Sequence, residues 1–109
     1  MAILSINIDR LRRDIDNLAR FTRGPGPGVT RLTFSEEDRA ARAYLRDQME
    51  AIGLRVVELP PGIMIGRLES TTAGGPAVMA GSHIDSVLQG GRFDGIVGVA
   101  GLIEPRETI

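Results

Sequence analysis

A single histidine, His83, stands in the segment Gly81-Ser82-His83-Ile84-Asp85-Ser86-Val87, and the glycine-flanked Asp94 follows in Gly90-Gly91-Arg92-Phe93-Asp94-Gly95. Imidazole nitrogen and carboxylate oxygen are both good donors to divalent ions. In an extended segment residues two apart share a face, so Asp85 lies beside the ring of His83. A carboxylate that accepts a hydrogen bond from one ring N–H fixes the tautomer and leaves the other nitrogen free to bind a metal. Asp94, on a turn that can fold back toward His83, has two oxygens with which to bridge a pair of ions held about 3.5 to 4 Å apart. Such a pair polarises a carbonyl and lowers the pKa of a shared water, which is chemistry suited to amide hydrolysis. Ser82 and Ser86 have no second histidine to activate them once His83 is on a metal, so neither reads as a nucleophile.

The same residues admit plainer roles. A lone histidine at a strand end can be a hydrogen-bonded structural residue. Asp94 can cap the helix that follows it, and Asp85-Ser86 can form a turn. The series Gly95-x-x-Gly98-x-x-Gly101 invites a phosphate-binding reading. It lacks both the strand-glycine-helix order of a dinucleotide fingerprint and the Lys-Ser/Thr of a phosphate loop, which argues against nucleotide binding.

The elements that must position these residues are legible from periodicity. From Ile8, apolar residues at Leu11, Ile15, Leu18 and Phe21 predict a helix with Asn7 as N-cap. Its other side, with Arg10, Arg12, Arg13, Asp14, Asp16 and Asn17, reads as a solvated face because acids and bases are interleaved. Gly24-Pro25-Gly26-Pro27-Gly28 is a loop. Ser35-Glu36-Glu37-Asp38 is a capping pattern with acids in the first turn, and it opens a second helix through Ala41, Tyr44, Leu45, Met49 and Ile52 that stops at Gly53. Leu54–Leu59 and Ile63–Leu68, separated by Pro60-Pro61-Gly62, predict a hairpin. A further strand is expected over Ala77–Ala80, running into Gly81-Ser82 and placing His83 at its end, where α/β sheets bind ligands. Ser70–Pro76 reads as a loop. Ile96–Ile103, apolar on every side, predicts the start of a buried helix whose continuation Pro105 weakens.

The whole string from Gly81 to Val99, rather than any part of it, resembles the metal-binding signature of the M20 metallopeptidase-like amidohydrolases. Within them it is most similar to the amidase, hydantoinase and carbamoylase branch: N-carbamoyl-L-amino-acid hydrolase, β-ureidopropionase and allantoate amidohydrolase. Gly28-Val29-Thr30-Arg31-Leu32-Thr33-Phe34-Ser35-Glu36-Glu37-Asp38 and the helix exit Met49-Glu50-Ala51-Ile52-Gly53-Leu54 are similar to the same branch. The resemblance implies an α/β fold, the incomplete N-terminal part of a zinc-peptidase-like catalytic domain spanning residues 1–109. His83 is then a ligand of one metal, Asp94 a bridge between two, and Asp85 the catalytic-site group that orients His83. It implies two divalent ions, zinc as the usual pair with manganese, cobalt or nickel as alternatives, and a small N-carbamoyl or ureido substrate. The paired glutamates and later histidines of such enzymes, and their lid and dimerisation domain, are not in this sequence. Pro61-Gly62-Ile63 replaces the Gly-Asn often found near the hairpin, and Glu104-Pro105-Arg106 is an unusual continuation of the last helix.

Composition closes off other classes. Thirteen basic residues against 14 acidic ones give no electrostatic footprint for nucleic acid or anionic lipid. The start lacks a basic leader, and the longest apolar-plus-glycine run, Gly95 to Ile103, is too short to span a bilayer, so neither a signal nor a membrane segment is expected. The lack of cysteine excludes disulfides and thiolate sites and is compatible with the cytoplasm. With 109 residues there is room for one domain. One histidine and one well-placed aspartate cannot complete a zinc site that wants three protein ligands, so the isolated chain is expected to be inactive. The rival expectations are a non-catalytic domain whose uncovered edges make it a homo-oligomer, and a fragment of an M20 aminopeptidase or deacylase.

Overall fold

The computed structural model of the chain describes residues 5–69, 71, 72 and 74–108. Of the stretches read above, the first four residues, Ser70 and Ala73 of the expected loop, and Ile109 lie outside the described residues.

Helix α1 spans Ile8–Ala19. Asn7 caps it as expected: its backbone is extended and its Oδ1 accepts hydrogen bonds from the amides of Asp9 (3.0 Å) and Arg10 (3.1 Å). Helix α2, Glu36–Ala51, is capped by Ser35, whose Oγ accepts from the Asp38 amide at 3.1 Å. Asp38 in turn accepts from the amide of Phe34 at 3.1 Å, so two otherwise orphaned donors are satisfied reciprocally. After Gly53 the chain enters β1 (Arg55–Leu59), which pairs antiparallel with β2 (Ile63–Arg67) in a register running from Arg55 opposite Arg67 to Leu59 opposite Ile63. Helix α3 covers Ile96–Thr108.

Ile15 and Leu18 of α1, Ala41 and Leu45 of α2, and Ile96, Ala100 and Ile103 of α3 form one buried cluster, with Leu11, Phe21, Tyr44, Met49, Met64, Ile84 and Val99 packed around it. Three helices therefore share one core, and the hairpin lies against its α2 side.

Four expectations need correction. Ala77–Ala80 forms no strand: the two-stranded hairpin is the only sheet among the described residues, and Val78 is fully exposed and Met79 81% exposed. An extended apolar run becomes a strand only when a neighbouring ladder takes up its amides and carbonyls, and none among the described residues pairs with this one. Helix α3 is buried on one face only, with Val97 and Leu102 each 45% exposed on the others. It also runs through Pro105 to Thr108. The proline leaves one carbonyl, that of Gly101, without its usual donor, while Glu104 immediately before it anchors the final turns to α1 by accepting from the Asn7 amide at 2.6 Å and from Arg10 Nη2 at 2.8 Å. Finally, Asp14 does not lie on a solvated face. It is buried, where it accepts from the Tyr44 hydroxyl at 2.6 Å and from Arg13 at 3.2 Å, tying α1 to α2.

Candidate metal centre

His83 lies on an irregular segment between residue 75 and α3, and its position is set by side-chain clamps rather than by a strand ladder. Arg31 is the principal clamp. Its guanidinium is buried, and it donates from Nε to the carbonyl of Ile84 (2.8 Å) and from Nη1 to the carbonyls of Leu18 (2.7 Å) and Phe21 (2.8 Å). The main chains of the two segments are joined as well: the Arg31 amide donates to Ser86 Oγ, and the Ser86 amide to the Arg31 carbonyl, both at 2.8 Å. Burial draws the Arg31 guanidinium pKa down, and the nearby carboxylates of Asp38 and Asp85 oppose that shift. In the sequence Arg31 stands out only as one position of the Gly28 to Asp38 stretch, with no role of its own. A lone arginine in Thr-Arg-Leu-Thr has no periodicity signal, and only the converging carbonyls reveal its role.

On that clamped segment the three predicted site residues come together. His83 Nδ1 is 3.1 Å from Asp85 Oδ1 and 3.2 Å from the Asp85 carbonyl. Both neighbours are acceptors, so in the neutral ring Nδ1 carries the proton and Nε2 presents its lone pair. Asp85 is itself held, its other oxygen accepting from Thr33 Oγ1 at 3.2 Å. His83 Nε2 faces Asp94 Oδ2 at 4.0 Å. That is too long for a hydrogen bond; two ligands of a tetrahedral ion, each bonded at about 2 Å, stand about 3.3 Å apart, so a small approach of the two side chains would let them share one.

Two glycines make the approach feasible. Gly95 has φ +73°, and a Cβ there would lie 2.6 Å from His83 Cε1 and 2.7 Å from Nδ1. The glycine thus serves both the left-handed turn into α3 and the seat of the imidazole. A Cβ on Gly98 would meet Ser82 Oγ at 2.7 Å, while Ser82 Oγ donates to the Gly95 carbonyl at 2.8 Å, so the first turn of α3 sits directly against the histidine segment. The side chains of His83 and Asp85 are about half exposed and Asp94 is 77% exposed, and His83 and Asp85 line a groove of about 890 Å³ between β2 and residues 80–85.

The donor set fits a borderline divalent cation as far as it goes. Nitrogen and carboxylate oxygen are zinc-type ligands, one with its tautomer fixed by a second carboxylate. It is not a complete set: among the described residues, no three histidine, cysteine or acidic side chains gather in a way that would hold an ion.

No family model matches the chain. The N-carbamoyl-L-amino-acid amidohydrolase of Paenarthrobacter aurescens is 44% identical to it over 104 residues, 95% of this chain and 25% of that protein. The ureidoglycolate hydrolase of Oryza sativa subsp. japonica is 42% identical over 99 residues, 91% of this chain and 20% of that protein. Among solved structures, a hydantoinase/carbamoylase family amidase from Burkholderia ambifaria superposes with a TM-score of 0.92 at 33% identity, over 98% of this chain and 26% of that one. This chain is a relative of the hydantoinase/carbamoylase amidases. It spans about a quarter of the length of the relatives it matches. The match to the P. aurescens protein runs through nearly the whole of this amidase-like chain.

Proposed function

We propose that residues 1–109 are the N-terminal portion of the metal-binding catalytic domain of an amidohydrolase that cleaves linear carbamoyl or ureido C–N bonds, with the lid and dimerisation domain outside this sequence. The observation that supports it most strongly is the pairing of His83 Nε2 with Asp94 Oδ2 across 4.0 Å while Asp85 occupies the other ring nitrogen. The names of the relatives supply the reaction class: an N-carbamoyl amino acid in one, ureidoglycolate in another.

His83 and Asp94 would hold the metal, zinc in the first instance and manganese, cobalt or nickel as alternatives, with Asp94 placed to bridge two ions. A bound divalent ion supplies polarisation of the scissile carbonyl and a water acidic enough to ionise near neutral pH. Asp85 accepts a hydrogen bond from the Nδ1–H of His83 and so leaves the lone pair of Nε2 available to an ion. The groove beside His83 admits a small carbamoyl or ureido substrate. Two ligands fall short of the three a catalytic zinc needs, so the isolated chain does not turn over substrate. Its setting is the cytoplasm, in keeping with the lack of cysteine. Among the described residues no helix is long and apolar enough to cross a membrane.

The test is a chimera in which this chain replaces the corresponding N-terminal quarter of the P. aurescens amidohydrolase. The expected result is metal-dependent release of the carbamoyl group from N-carbamoyl amino acids, abolished by His83→Ala and by Asp94→Asn. A folded chimera that is inactive, or one whose activity survives both substitutions, would contradict the proposal.

A second reading rests on a separate observation. Val78 and Met79 are exposed, as are Ile63 and Leu59 of the hairpin, which favours a non-catalytic domain that self-associates through this surface. Metal binding that depends on His83 separates the two readings.

A further inference from the structure

From the placement of its three hydrogen bonds, we infer that Arg31 is the positioning residue of the His83 site: its guanidinium fixes the segment carrying His83 and Asp85 to the end of α1. The inference rests on the site reading above for its functional meaning, but the placement it describes can be measured without a metal.

The last carbonyls of a helix have no intrahelical donor and form the negative end of its dipole. Leu18 lies in the last turn of α1 and Phe21 two residues beyond it, and Arg31 Nη1 donates to both carbonyls, sharing that of Leu18 with the Phe21 amide. The opposite side of the same planar group, Nε, donates to the carbonyl of Ile84, the residue between His83 and Asp85. A rigid fork with donors on two edges can join acceptors from two separate segments in one plane; an ammonium on a flexible stem cannot hold the same directions. Burial removes competing water, so each bond counts for more than it would at the surface. Fixing the Ile84 carbonyl fixes the peptide between His83 and Asp85. With that peptide held, the ring of His83 falls on the bare face of Gly95, where a side chain on residue 95 would collide with it.

Because His83 is the only histidine, its ring protons give isolated NMR signals in the 109-residue chain. In the unmutated protein the Nε–H of Arg31 is expected to exchange with solvent at least about tenfold more slowly than that of the exposed Arg12, and to show a scalar coupling to the carbonyl carbon of Ile84. In Arg31→Lys, the nuclear Overhauser contact between His83 Hε1 and the Gly95 α-protons is expected to fall by about threefold or more. In Tyr44→Phe, which loosens the α1–α2 contact elsewhere, it is expected to persist. A folded Arg31→Lys protein that keeps the contact at full strength overturns the inference. So does an Arg31 Nε–H that exchanges as fast as that of Arg12, a result that needs no variant to fold. Loss of the contact to the same extent in Tyr44→Phe also overturns it, by showing a general response to destabilisation. Zinc added to the same unmutated sample tests the metal reading separately: an undisturbed His83 ring defeats that reading while leaving the placement result intact.

Discussion

At His83 the decisive feature is the division of labour between the two ring nitrogens. Nδ1 is committed to Asp85, which leaves Nε2 pointed at Asp94, and Gly95 leaves the space in which the ring lies. Gly95→Ala is therefore expected to be harmful on two counts, the positive φ and the collision with the ring. We expect a loss of about 1 to 3 kcal/mol in urea unfolding, together with loss of any His83-dependent metal binding. Tyr44, the only tyrosine, gives a second residue-level prediction. Burial, reinforced by its hydrogen bond to Asp14, raises its pKa above 10. A raised folded-state pKa means that the neutral phenol stabilises the fold fully below the unfolded value and ceases to do so as pH rises through the folded value. Stability should therefore decline as pH climbs above 10, with the phenolate absorbance appearing later than in a free tyrosine, and Tyr44→Phe should remove that part of the decline. The sequence singled out His83, Asp85 and Asp94 because their types and spacing are themselves chemical signals, and the structure brings the three side chains near one another. It did not reveal Arg31 or the buried Asp14, because their roles depend on which distant carbonyl or hydroxyl arrives beside them.

The helices were legible wherever a local rule sufficed. Asn7 and Ser35 cap as their types dictate, and Pro60-Pro61-Gly62 turns the hairpin within one residue of the expected limits. The misreadings fall where local and tertiary terms compete. Ala77–Ala80 has strand composition but no partner, and Pro105 sits in a helix held from outside by the ion pair of Glu104 with Arg10. That pair is partly shielded, with the Glu104 side chain at 1% exposure and that of Arg10 at 33%. Glu104→Ala removes the buried carboxylate that accepts from the Asn7 amide and from Arg10, and should cost about 1 to 3 kcal/mol. Hydrogen exchange should show the loss concentrated in the last turns of α3 and the first turn of α1. An effect spread evenly over the hairpin would contradict the anchoring role.

Considered as one body, the chain has a well-covered core among three helices, while Leu59 and Ile63 of the hairpin, Val78, Met79, and Val97 and Leu102 of α3 are left exposed. The chain superposes on about a quarter of a solved amidase structure. The exposed apolar residues should make the isolated chain associate as concentration rises. Replacing Val78 with Lys and Met79 with Glu is expected to reduce that association in sedimentation velocity without lowering helicity, since neither side chain is buried. The central claim, however, concerns His83 and Asp94 as ligands of one ion. It is tested most directly by titrating zinc into the ¹⁵N-histidine-labelled chain. The account predicts a saturable shift of the Nε2 resonance with the Nδ1 proton retained, and an affinity that falls by about 10- to 100-fold in Asp85→Asn. It also predicts a weaker affinity in Asp94→Asn. A ring that stays unmoved by zinc, or one that binds through Nδ1 and is indifferent to Asp94, would contradict it.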